Sequence, residues 1–234
     1  MFPNLHPDRS DWRDFYKIGA YACAAVAVFV TFAIAAYFIW PYQAGGASAV
    51  EIFELLQQDI LGGLMSLDLM MLVIAPINVV AMLAVYAALR PVNEAYALIA
   101  FVIGLLGAAL VMTTRPLAEL VALSNQYAAA TSAAEKAQYL TSGETLLLFF
   151  EGTAWILQTF FFLVSGLISG VLMLRSEVFS TPTAYTVIFI SIIGLGFLLP
   201  TIGLLLLFLN TIGSVASNGL MARDFFRFNR QFGE

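Results

Sequence analysis

Residues 178 to 222 read VFSTPTAYTVIFISIIGLGFLLPTIGLLLLFLNTIGSVASNGLMA, a run of 45 residues without Asp, Glu, Lys or Arg. As one α-helix this run would be about 67 Å long, more than twice a hydrocarbon core of ~30 Å. It therefore has to hold two membrane spans. Leu199-Pro200-Thr201-Ile202-Gly203 is the obvious break, because proline and glycine end helices. The fifth span is then about Pro182 to Leu198 and the sixth about Gly203 to Ala222. Working back along the chain, apolar runs with charge-free cores give four more. They are Ile18 to Trp40, Leu61 to Leu89 with its core from Leu69, Ala95 to Thr114, and Thr145 to Leu174 with its core from Gly152.

Composition agrees. Of 234 residues, 61% are hydrophobic and 11% charged, against roughly 25% charged in a soluble domain. Mean hydropathy is +0.91. A soluble chain of this size has too much surface for its volume to hide so much apolar area. The expected fold is all-α, a polytopic transmembrane helical bundle of six spans with amphipathic helices on the outer face.

The few charges orient it. With six spans, Arg9, Arg13, Lys17, Arg90, Arg175, Arg223, Arg227 and Arg230 share one side, and only Arg115 and Lys136 fall on the other. Basic residues collect on the cytoplasmic side, so both termini are expected there. A five-span arrangement would put the three C-terminal arginines outside. The first apolar stretch is also longer than the roughly 7–15 residues of a signal peptide. The chain reads as a single transmembrane domain, 1–234. Residues 1–17 form a cytoplasmic interfacial segment, 41–60 and 115–143 external helical segments, and 223–234 a cytoplasmic tail.

Between spans, Ser48 and Glu51 have capping-box spacing ahead of Ile52, Phe53, Leu55, Leu56 and Ile60, which form one apolar face. Gly62-Gly63 joins this helix to span two. Ser132 with Glu135, and Thr141 with Glu144, repeat the spacing. Helix is expected from about Pro116 to Ala130 and from Ala133 to about Leu140. Around the interfaces, Trp12, Phe15 and Tyr16 at one end and Tyr37, Trp40 and Tyr42 at the other suit headgroup depth.

Counting excludes several chemistries. The single histidine, His6, lies in the N-terminal tail, and the single cysteine, Cys23, lies in an apolar run. Histidine-ligated haem, a zinc protease site, a serine–histidine dyad and an iron–sulfur cluster therefore lack ligands within the membrane. No catalytic residue, metal or cofactor is expected. The tail interleaves Arg223, Arg227 and Arg230 with Phe225, Phe226, Phe228 and Phe232. Next to a span this pattern meets anionic lipid headgroups rather than nucleic acid, and the net charge is −5.

Ionisable groups inside a bilayer are functional candidates. Asp68 and Glu151 each lie about seven residues into a span from its outer end, at matching depth. If their helices are neighbours, the two carboxylates would share a proton; the plainer reading is a polar network or a shallow vestibule. Arg115 is placed to pair with either or to snorkel. Glu144, Glu151, Gln158 and Ser165 recur every seven residues along span four. Gly166-Leu167-Ile168-Ser169-Gly170 is a small-xxx-small contact motif. Pro76 and Asn78 in span two and Asn210 in span six add a kink and two hydrogen-bonding groups. The candidate polar site is Asp68, Glu151, Gln158, Asn78 and Arg115. Spans two–three and four–five also look alike, each first helix carrying its carboxylate 22 or 24 residues before an arginine.

Leu89-Arg90-Pro91-Val92-Asn93, Ala122-Leu123-Ser124-Asn125-Gln126-Tyr127-Ala128-Ala129-Ala130-Thr131, Glu151-Gly152-Thr153, Met173-Leu174-Arg175-Ser176-Glu177-Val178-Phe179-Ser180 and Met221-Ala222-Arg223-Asp224-Phe225 together resemble a prokaryotic integral-membrane family described only as a domain of unknown function. The resemblance covers about residues 18 to 228. It implies a multi-span helical protein of a bacterial or archaeal cell membrane, and no substrate, cofactor or catalytic residue. Where relatives carry a tryptophan in the final helix, this chain has Ser214-Val215-Ala216-Ser217-Asn218. The function expected is a non-enzymatic accessory or interaction subunit packing against other membrane proteins and lipids. The alternative is a small-solute or ion carrier using the carboxylate pair. An intramembrane aspartyl enzyme is disfavoured by the lack of a Gly-x-Gly-Asp signature at Asp68.

Overall fold

The computed structural model describes residues 9–231; expectations resting on His6, Asp8 and Phe232 lie outside them. Among the described residues the chain is helical, without strands. The helices are α1 (Arg9–Ala36), α2 (Ala49–Gln58), α3 (Ile60–Ser66), α4 (Leu69–Thr113), α5 (Leu117–Ala129), α6 (Ala133–Leu147), α7 (Thr153–Met173), α8 (Thr181–Leu195) and α9 (Gly203–Gln231). Tight 3-10 turns occupy Leu148–Phe150 and Gly196–Leu198. Five helical stretches are long and apolar enough to cross a membrane: Phe15–Ala36, Leu69–Ala129, Ala133–Met173, Thr181–Leu198 and Leu205–Arg230.

Helix α4 is not one rod. Asn93 leaves helical geometry at φ −162°, ψ 104°. Its side-chain oxygen accepts from the Tyr96 backbone N–H at 3.1 Å, capping the segment that follows. Tyr86 and Phe101, nearly equidistant from Asn93 in sequence, bring their ring centroids to 5.8 Å. The two halves therefore fold back on each other as an antiparallel hairpin.

Two segments read as separate from the spans are continuous with them. Arg9 to Lys17 belongs to α1, and Arg223 to Gln231 belongs to α9. No proline interrupts either junction, so the hydrogen-bond ladder runs on.

The chain divides into two compact units. The first comprises Met1–Val28, Ile77–Leu105 and Phe161–Glu234. Its core centres on Cys23, Ala84, Leu89, Met173, Ala184 and Phe225, all nearly or fully buried. Along part of this unit small residues turn inward while large apolar ones turn outward. In the second half of α4, Ala97 and Ala100 are buried while Leu98, Ile99, Val102 and Leu105 are exposed. A soluble core shows the reverse; helices packing within lipid put small residues at the contact. A Cβ on Gly166 would lie 2.6 Å from Ser191 Oγ, and one on Gly170 would lie 2.7 Å from Ile188 Cγ1. The small-xxx-small motif of α7 is thus spent on α8 of the same chain. Asn210 of α9 donates to the Ile190 carbonyl at 2.8 Å.

The second unit comprises Phe29–Pro76 and Leu106–Phe160. Its core is built from Ile52, Phe53, Leu67, Leu120, Leu147 and Phe150. Helix α2 starts at a reciprocal capping box. The Glu51 carboxylate accepts from the Ser48 N–H at 2.7 Å, and Ser48 Oγ accepts from the Glu51 N–H. The bond to Ser48 holds the Glu51 carboxyl below the ordinary range. Ser132 and Glu135 begin α6 in the same way.

Thr141 and Glu144 do not begin a helix. Thr141 lies inside α6 and donates to the Ala137 carbonyl at 2.9 Å. Glu144 instead reaches the first turn of α2, accepting from the Ala49 N–H at 2.7 Å. Spacing alone cannot distinguish a local cap from a distant one. Ser124 Oγ ties α5 to α2 by donating to the Phe53 carbonyl at 2.9 Å. Ile60 is 55% exposed, so the apolar face of α2 ends at Leu56.

Candidate functional site

The polar centre lies in the second unit and is organised by Asp68. This residue is not inside a helix. It sits between α3 and α4 at φ 69°, ψ 33°, the one non-glycine residue with positive φ among those described. Left-handed backbone costs an ordinary residue roughly 1–2 kcal/mol; Asp and Asn tolerate it best. The turn aims the carboxylate inward, where Asp68 is only 5% exposed.

Both Asp68 oxygens are engaged. Oδ1 accepts from the Tyr37 hydroxyl at 2.5 Å. Oδ2 accepts from Arg115 Nε at 2.9 Å and Nη2 at 2.7 Å. Arg115 is itself buried, with its guanidinium carbon 5.2 Å from the centroid of the Phe150 ring. That is cation–π range. Its Nη1 donates to Thr114 Oγ1 at 2.9 Å, and Thr114 Oγ1 lies 3.0 Å from Gln158 Oε1 as donor. A continuous polar chain therefore runs Tyr37–Asp68–Arg115–Thr114–Gln158. It ties together the turn after α1, the start of α4, the α4–α5 junction and α7.

Of the five candidates from sequence, Asp68, Arg115 and Gln158 are joined. Glu151 is exposed in the turn before α7, with its carboxylate against Gly45, where a Cβ would lie 2.9 Å from Glu151 Cδ. In place of the proton-sharing pair that neighbouring carboxylates would have formed, Asp68 makes an ion pair with Arg115, one of the two partners open to that arginine. The helix preceding Glu151 tightens to a 3-10 turn and stops, so this residue too lies at a break rather than inside a helix. Asn78 is half-buried in α4 and belongs to the first unit, and among the described residues no hydrogen bond joins it to the polar chain. The regular stripe is likewise divided among separate tasks: Glu144 caps α2, Gln158 meets Thr114, and Ser165 donates to the Ala100 carbonyl at 2.7 Å.

Tyr42 adds an aromatic hydroxyl near Arg115, Asp68 and Glu151. Burial pushes its phenol up to about 12, with Arg115 opposing the rise. Tyr37, Thr114 and Phe150 were missed as partners. Tyrosine near a span end reads first as an interfacial anchor, and phenylalanine in an apolar run reads as packing.

A second charged node lies in the first unit and was not singled out from sequence. Asp224 is fully buried on α9. It accepts from the Ser180 N–H and Oγ, each at 2.8 Å, and from the Thr183 hydroxyl. It thereby caps the N-terminus of α8 from another helix. Arg223 Nη2 approaches its other oxygen at 2.9 Å. The sequence signal available was Ser180-Thr181-Pro182-Thr183, a helix start without an acidic residue of its own.

In both nodes the carboxylate is saturated by donors, and no group of three His, Cys, Asp or Glu side chains among the described residues is placed to hold a metal ion. Comparison with protein-family models, curated proteins and solved structures found no match to this chain.

Proposed function

We propose that the chain is a six-span protein of a prokaryotic cell membrane, both termini cytoplasmic and α2, α5 and α6 outside, that acts without catalysis by packing against other membrane proteins. The Asn93 hairpin supports the count, because it makes two spans of α4. The bias of eight basic residues to two supports the orientation. The resemblance to the uncharacterised prokaryotic family belongs to this reading and adds no activity.

One observation carries the packing role. The outer side of α9 presents Leu205, Phe208, Ile212, Ala216 and Gly219, and only 17% of this stretch's apolar window is buried. Gly213, one and a half turns earlier, meets Ile190, whereas a Cβ on Gly219 would meet nothing within 4 Å. Glycine inside a helix costs about 0.5–1 kcal/mol relative to alanine. Nothing within the described chain requires that cost at Gly219; close approach by a neighbouring helix would. Gly219→Trp is expected to leave the purified chain folded while removing whatever protein accompanies it from the native membrane. A wild-type chain that is strictly alone by native mass measurement would defeat the proposal.

The carrier remains the second reading because a buried Asp–Arg pair with attached hydroxyls is unusual in an apolar protein. It predicts a pH-dependent flux in liposomes that Asp68→Asn abolishes and Glu151→Gln leaves intact. Equal flux in wild type and Asp68→Asn would remove it.

A further inference from the structure

We propose that the seam between α1 and α9 in the first unit binds an anionic phospholipid. This goes beyond the reading above, which concerns protein contacts.

The seam is fixed by aromatic rings. Tyr16 lies 5.7 Å from Phe228, and Tyr21 lies 5.2 Å from Phe226, edge to face. Tyr16 also lies 5.9 Å from Phe225, and in the six-span reading, on which this step rests, α1 and α9 run in opposite directions. Lys17 is one turn before Tyr21, and Arg230 is one turn after Phe226. In an antiparallel pair these two steps go in the same direction. Both cations thus stand at the same end of the Tyr21–Phe226 pair, and both are exposed. Arg227 adds a third exposed guanidinium, 3.8 Å from Asp224. Residues 223–231 of α9 thus carry three arginines against the one carboxylate of Asp224, which is already shared among Ser180, Thr183 and Arg223.

The side of α1 that continues from this basic end is apolar. Ile18, Tyr21 and Val28 are 50%, 61% and 65% exposed along one side of α1. Phe15–Ala36 and Leu205–Arg230 are the stretches able to cross a membrane. Their basic ends therefore fall at headgroup depth, with the apolar stripe beside the acyl chains. A phosphodiester headgroup accepts hydrogen bonds from arginine and lysine. Its acyl chain covers Ile18, Tyr21 and Val28. An acidic peptide would satisfy only the cations, and a neutral lipid only the stripe.

The test is native mass spectrometry of the full chain in mild detergent with phosphatidylglycerol or phosphatidylcholine of matched acyl chains. The wild type is expected to retain phosphatidylglycerol preferentially. Each basic residue near an anionic surface contributes about a fivefold preference. Lys17→Gln with Arg230→Gln should therefore reduce the preference by roughly 25-fold, and Lys17→Arg with Arg230→Lys should keep most of it. Arg227→Gln with Arg230→Gln provides a second pair should the first fail to fold. Equal retention of the two lipids by the wild type would overturn the site. So would undiminished preference in a folded glutamine variant.

Discussion

The two units are held together by opposite means. The first carries eight of the ten basic residues and seven of the fifteen acidic ones; the second carries two basic and eight acidic. In the first, helices close on small residues, such as Gly170 against Ile188, and one buried carboxylate caps a helix through hydroxyls. In the second, short helices are started by carboxylates and centred on an Asp–Arg pair. Where backbone approach is the attraction, dispersion over many small contacts suffices and polar groups are few. Where helices are short and turns numerous, unpaired backbone N–H groups accumulate and acidic side chains satisfy them.

The largest effect should come from splitting the ion pair. Arg115→Met leaves Asp68 buried and unpaired, with an expected cost of about 3–5 kcal/mol. Hydrogen exchange should rise in α2, α5 and α6 and stay unchanged in α8 and α9. Adding Asp68→Asn, neutral and tolerant of the left-handed turn, should recover much of the loss. Equal exchange in α8 and α9 would mean that the units do not open separately.

The converse test overfills the first unit. Gly170→Leu forces a side chain onto Ile188, and overpacking costs typically 1–3 kcal/mol. Thermal unfolding in detergent should show the loss, and exchange should localise it to α7 and α8. A silent substitution would mean that the α7–α8 contact is looser than its spacing implies.

Smaller again is Glu144→Ala. Loss of a helix cap costs about 1 kcal/mol. Amide protection should fall at Ala49 and in the first turn of α2, leaving α6 intact, since Glu144 serves the other helix.

The smallest effect is a pH dependence. Glu51 is held below its ordinary carboxyl range, so its contribution is complete above the unfolded value of about 4.3 and is lost as pH falls through the lower folded value. Protection at the start of α2 should fall only in that acidic range. Glu51→Gln should flatten the step, and a step that survives the substitution would assign it to another carboxylate.

Much of the helical layout was legible because its signals are local. Leu199 to Gly203 interrupts the long apolar run, Ser48–Glu51 and Ser132–Glu135 start helices, and Ala130 to Ser132 separates α5 from α6. The candidate site was half legible. Asp68, Arg115 and Gln158 stood out as charge or amide in apolar sequence. Their wiring did not, because Asp68 turns through a left-handed residue that hydropathy does not register. Glu144 misled for a related reason: a capping glutamate has the same spacing whether it serves its own helix or a distant one.

The sequence by itself determined that the chain is apolar enough for a membrane, where its longest run must break, and which few charges deserve weight. Each follows from composition and from the length of a helix against the thickness of hydrocarbon. Only the tertiary structure decided who pairs with whom: Asp68 with Arg115 rather than Glu151, Asp224 with the start of α8, and the glycines of α7 with α8. Such contacts join residues 40 or more positions apart or lie on facing sides of neighbouring helices, and one-dimensional spacing carries no information about either.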